Sequence, residues 1–131
     1  NTFTTISGSE ITYTPANGSD KVVYEISFYA EKVGINFMSF QLQHYVSNTW
    51  SEINSKFKRN IGNSNSTNQS YRYLITWRFV LPAWTGARQL RIVAGSNGLN
   101  KNIDMHQLTN WDGSGSVTDQ FCNTNLLVYS I

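Results

Sequence analysis

The chain has 131 residues, a formal net charge of +2 and only 14% charged side chains, so amides and hydroxyls rather than charge must keep its surface wet. That size fits one domain able to bury a core without disulfides or metal, and a single cysteine, Cys122, forbids an internal bridge. The weak, scattered positive charge excludes the clustered Lys and Arg that a phosphate backbone demands, so no nucleic-acid partner is expected.

No stretch has a helical period. Two-residue alternation, broken by clusters of Gly, Asn, Ser and Asp, predicts an all-β chain. Short strands are expected at 2–6 and 10–14, the second ended by Pro15, and Asn17-Gly18 favours a tight reversal after them. Lys21–Val33 reads as a long strand with Val22, Tyr24, Ile26, Phe28 and Ala30 on a core face. Its other face, Val23, Glu25, Ser27, Tyr29 and Glu31, should meet solvent or a partner. A strand with mixed faces over 36–46 and a shorter one over 50–57 follow. Lys56-Phe57-Lys58-Arg59 reads as a solvated strand end, and 60–70 as a polar surface loop.

Residues 71–81 align Tyr71, Tyr73, Ile75, Trp77, Phe79 and Leu81 opposite Arg72 and Arg78, until Pro82 stops the strand. Strands at 88–94 and 103–108, a loop at 110–118 and a closing strand at 125–131 complete the pattern. The closing strand alternates two faces up to Ile131. Because untied ends fray, it is expected in a central sheet position or at a subunit interface. About eight antiparallel strands in one domain predict a two-sheet sandwich with jelly-roll topology. The start at Asn1 reads as a C-terminal domain cut from a longer protein. No signal peptide is expected, and no run approaches the ~20 apolar residues of a membrane helix, so no membrane insertion is expected.

Catalytic signals are weak. Asp104 and His106, two apart, would share a strand face, but zinc wants three or four ligands and His44 is the only other histidine. Neither a metal nor another cofactor is expected. The eight acidic residues show no glycosidase-type pairing, no nucleophile elbow is present, and Gly113 and Gly115 precede no helix. Cys122 lacks a setting that would lower its pKa and reads as a buried structural thiol. The chain is therefore read as non-enzymatic.

Trp111-Asp112-Gly113-Ser114-Gly115-Ser116 is the most distinctive local segment. Trp111 is either a sugar-stacking platform or an anchor buried beneath the turn, and Trp50 and Trp84 pose the same alternatives. Trp77, inside an apolar face, belongs to the core. Asparagine-glycosylation triplets at Asn17, Asn65 and Asn68 are what chance supplies in a chain so rich in Asn and Ser.

Three segments carry a resemblance over nearly the whole chain, weakest from 36 to 70. They are Ile6-Ser7-Gly8-Ser9-Glu10-Ile11-Thr12-Tyr13-Thr14-Pro15 followed by Lys21-Val22-Val23-Tyr24-Glu25; Trp111-Asp112-Gly113 with Asp119-Gln120-Phe121; and Leu126-Leu127-Val128-Tyr129-Ser130-Ile131. Together they resemble the trimer-forming C-terminal domains of proteins from large algal viruses (chlorella viruses) and marine phages. Where that family often has a proline before its last strand, Cys122-Asn123-Thr124 stands here. The resemblance implies a jelly roll of tumour-necrosis-factor-like shape and a homotrimer on a virion or extracellular viral protein. Its implied role is trimerisation, host-surface attachment or both, with no catalytic residues; glycan binding is a further expectation, motivated by the loop aromatics and the amide-rich loops.

Interface cores favour aromatic side chains and exclude charge. Tyr24, Phe28, Tyr73, Trp77 and Tyr129 are accordingly expected to be shared between the core and a subunit interface. Trp111, Trp84 and Asn65 are the expected glycan contacts. The alternative reading is a monomeric carbohydrate-binding module of a polysaccharide-degrading enzyme. It differs in whether the apolar surplus is buried between subunits.

Overall fold

The computed structural model describes residues 3–33, 37–54, 58–62, 70–96, 103–111, 116–120 and 123–131. Among these residues the chain is all β, and no helix is long and apolar enough to cross a membrane. The strands are β1 (Thr4–Thr5), β2 (Ile11–Tyr13), β3 (Lys21–Val33), β4 (Phe37–Val46), β5 (Thr49–Glu52), β6 (Lys58–Gly62), β7 (Ser70–Pro82), β8 (Arg88–Ser96), β9 (Ile103–Met105), β10 (Gln107–Trp111), β11 (Ser116–Gln120) and β12 (Asn125–Ser130). Phe57, the segment 63–69 with Asn65, residues 112–115, Phe121 and Cys122 lie outside the described residues.

The first sheet places β8 beside β4, flanked by two broken edges. One edge is β1 and β2, which pair with β8 in succession: Thr4 lies opposite Ala94, and Ile11 opposite Leu90. The break between them has a local cause. Gly8 takes a left-handed φ of +79°, which turns Ser9 inward. The Ser9 hydroxyl then accepts the Ile92 N–H at 3.2 Å and lies 2.7 Å from the Ile6 carbonyl, replacing the missing ladder bond. The other edge is β5 and β6, both on β4. Ser47 and Asn48 join β4 to β5 with φ of 53° and 61°, the paired left-handed residues of a tight hairpin.

In the second sheet β7 pairs with β3 along its full length, from Lys21 opposite Pro82 to Val33 opposite Ser70. The far side of β3 is shared by β12 and, beyond it, β9. The chain crosses between sheets at β2–β3, β3–β4, β6–β7, β7–β8 and β8–β9, the winding of a jelly-roll sandwich. A separate β10–β11 hairpin completes the described strands.

The β3 face of the core is the predicted one, whereas the β4 and β8 faces were not assigned from the sequence. Val22, Tyr24, Ile26, Phe28 and Ala30 of β3, with Ile75, Phe79 and Leu81 of β7, meet Met38, Phe40 and Leu42 of β4 and Leu90 and Ile92 of β8. Burying each large side chain contributes about 1.5–3 kcal/mol. Trp77 lies edge-on to Phe40 and Phe28, with centroids 4.9 and 5.6 Å apart.

Several expectations need correction. Val23 and Glu31 are buried although they occupy the outer face of β3. Val23 is covered because its register neighbours are Tyr129 and Val80. Asn60, Ile61 and Gly62 belong to β6 rather than a loop. Asn110, Trp111 and the stretch 116–118 belong to the β10–β11 hairpin. His106 interrupts its expected strand with φ of 62°. That kink breaks the alternation that would have put Asp104 and His106 on one face. Finally, β12 is not central: among the described residues it pairs with β3 alone.

Candidate binding surfaces

The end of the sandwich near Trp84 is built by two turns held together. Pro82 ends β7, and the next amide, Ala83 N–H, donates to the Asp20 carbonyl at 3.0 Å. This ties the β7–β8 turn to the β2–β3 turn, and Gly86 (φ +80°) then reverses the chain toward Arg88. The Trp84 indole N–H donates to the Tyr13 carbonyl at 3.3 Å, and the Tyr13 ring stands edge-on at 6.3 Å. The Arg88 guanidinium sits over the Trp84 ring, 4.7 Å from its centroid.

Trp84 lines two hollows. One, of about 200 Å³, is walled by residues 14–19 and 83–86, with Thr14, Asn17, Ser19 and Thr85 as its side-chain polar groups. The other, of about 240 Å³, has an apolar floor of Ile53, Leu81, Pro82 and Leu90, with Asn54 and Arg88 as its polar groups. Burial holds Arg88 below its ordinary pKa. His44, opposite Leu90 in the sheet, is also held low, first by burial and then by the charge of Arg88.

A second aromatic group lies on the outer face of the first sheet. Gln89, Tyr45 and Trp50 form one cross-strand row, and Arg91, Gln43 and Glu52 the next. Arg91 covers the Trp50 ring at 3.9 Å and donates from Nε to Gln43 Oε1 at 3.1 Å, while Tyr45 packs 5.4 Å from Trp50. The Trp50 ring is thus engaged by its own neighbours.

The outer face of the second sheet has a different character. Leu74, Val80 and Leu127 stand 62%, 48% and 54% exposed around an Arg78–Glu25 ion pair of 2.7 Å and a Ser27–Thr76 hydroxyl pair of 2.6 Å. The ion pair raises Arg78 above its ordinary pKa. Beside them the outer edge of β12 has no strand partner among the described residues. The strand itself is firmly held: the Ile131 carbonyl accepts both the Asp20 and Lys21 amides, at 2.8 and 2.9 Å.

The expected site residues divide accordingly. Tyr24 and Phe28, 0% and 1% exposed, are core residues with no surface to offer a neighbouring subunit. Their shared role is corrected to a structural one. Tyr73 and Trp77 are partly buried against the same core, whereas Tyr129 lies on the outer face beside Val23. Trp84 alone among the expected glycan contacts has described surroundings. The backbone of Trp111 ends β10 opposite Ser116, its side chain is outside what the structure describes, and Asn65 lies outside the described residues.

Sequence reasoning missed Arg88, which a turn alone carries over Trp84, and Tyr13, which reaches it only through the folded sandwich. Among the described residues no three His, Cys, Asp or Glu gather where they could hold a metal. Compared with known proteins, the chain matches no protein family, no curated protein and no solved structure.

Proposed function

We propose that the protein is a non-enzymatic homotrimerisation domain of a viral surface or tail protein that also attaches to host-surface glycans. The observation that carries this reading is the outer edge of β12, which has no strand partner among the described residues, beside the exposed Leu127. An open apolar edge strand is a hazard that folded proteins cover, and a closed ring of identical subunits covers it without leaving an edge free. Beside Leu127 the charges of Arg78 and Glu25 are already paired with each other, which lowers the cost of removing water from that part of the face. Light scattering during gel filtration tests it. A mass near three times 14.9 kDa supports the trimer, and a monomer at every concentration sinks it.

A second reading, a monomeric carbohydrate-binding module, is favoured by one specific feature: Trp84 between two hollows at the end of the sandwich. Under that reading the light-scattering mass stays monomeric while glycan binding persists.

A further inference from the structure

We propose that the hollow floored by Ile53, Leu81, Pro82 and Leu90 takes the carboxylated ring of an acidic oligosaccharide, with Arg88 holding the carboxylate and the apolar floor packing against the ring. The proposal rests on the glycan-attachment half of the reading above and names the chemistry of its ligand.

Four features of the site point this way. Among the described residues Arg88 is the only charged side chain lining either hollow, and none of the acidic ones lines them. Its guanidinium lies over the Trp84 ring, 4.7 Å from the centroid. A guanidinium held this way presents a planar fork that matches a carboxylate with two parallel hydrogen bonds. A single Arg on an apolar floor suits one carboxylate better than a doubly charged phosphate, which calls for more donors.

The hollow's 240 Å³ lies below the roughly 300–1,000 Å³ of sites for drug-sized ligands, so its occupant is a single ring. The adjoining hollow, on the same Trp84, is lined by hydroxyl, amide and turn backbone groups, which suit the hydroxyls of a neighbouring sugar unit. Burial acts on Arg88 in the same sense: a partly dehydrated cation gains more from an anion than one in open water.

The test is calorimetric titration of the intact protein with galacturonate, glucuronate and mannuronate oligosaccharides, each beside its own methyl ester, which keeps the ring and removes the charge. At least one acid should bind about 10- to 100-fold more tightly than its ester, the range expected for a lost charge-assisted contact. In Arg88→Gln that preference should vanish while the ester still binds, and Arg88→Lys should keep part of it. Unchanged circular dichroism of both variants excludes misfolding. Arg91→Gln, on the outer sheet face, should leave the preference intact. Equal binding of every acid and its ester overturns the proposal while leaving glycan attachment standing. Binding of no sugar at all overturns both. Loss of the preference in Arg91→Gln but not in Arg88→Gln moves the site to the other face and overturns the assignment to this hollow.

Discussion

The junction of Ser7, Gly8, Ser9, His106 and Thr124 concentrates several single-residue constraints. The Thr124 hydroxyl donates to the Ser7 carbonyl at 2.6 Å and lies 3.3 Å from His106 Nε2. A Cβ at Gly8 would come 2.9 Å from Thr124 Cβ, whereas one at Gly18 meets open space, although both glycines have positive φ. Gly18→Ala should therefore cost about 1 kcal/mol for backbone alone, and Gly8→Ala about 3 kcal/mol or more, as urea unfolding would measure. Tyr24 donates its buried hydroxyl to the Ser9 carbonyl, and burial raises its pKa. Tyr24→Phe should cost about 1–3 kcal/mol by leaving that carbonyl unpartnered.

His106 gives a pH prediction. It is buried, its Nδ1 has no partner among the described residues, and burial holds its pKa below the ordinary 6.5. The unfolded chain therefore takes up a proton at higher pH than the fold does. Stability should be level above about pH 6.5 and fall as pH drops below it, with a limiting slope of about 1.4 kcal/mol per pH unit for each such histidine. His44 acts in the same direction. Asn tolerates the left-handed φ that His106 adopts, so His106→Asn should remove one proton's worth of slope in pH-dependent unfolding.

At the scale of elements, β3 and β7 were legible because each alternates strictly over a long run, and their partnership buries every second residue. What the sequence hid was decided by pairing rather than pattern. The alternation of β12 is as clear as that of β3, yet alternation says nothing about how many neighbours a strand has. The break between β1 and β2 depends on the Ser9 hydroxyl reaching Ile92, a contact between residues far apart in the chain. Residues 110–111 and 116–118 of the β10–β11 hairpin read as loop because Gly and Ser turn signals lie between them, although each is paired.

The open edge of β12 makes its own prediction. In a trimer the alternate amides of β12 that point away from β3 should exchange hydrogen as slowly as those bonded to it. In a monomer they should exchange fast. Leu127→Lys, on the exposed face, should change monomer stability by no more than about 0.5 kcal/mol while reducing the light-scattering mass.

Over the whole molecule, the candidate glycan site shows why sites are harder to read than folds. Trp84 was visible as a candidate, but its meaning comes from Arg88, which the β7–β8 turn carries over it, and from Tyr13 and Asn54, distant parts of the chain that the crossings between the sheets bring to it. The same crossings make most partnerships remote in sequence: β1 and β2 wait for β8, and β12 returns to β3. Sandwiches closed by such distant pairs refold in about milliseconds to seconds, which stopped-flow tryptophan fluorescence would test. The pairing of β12 with β3 also bears on biosynthesis. As the chain leaves the ribosome, one side of β3 stays open and apolar until β12 follows it, so the second sheet cannot close cotranslationally before that strand emerges. In that interval nascent copies on one messenger are most apt to pair wrongly, and a chaperone that shields strand edges would raise the yield of native protein.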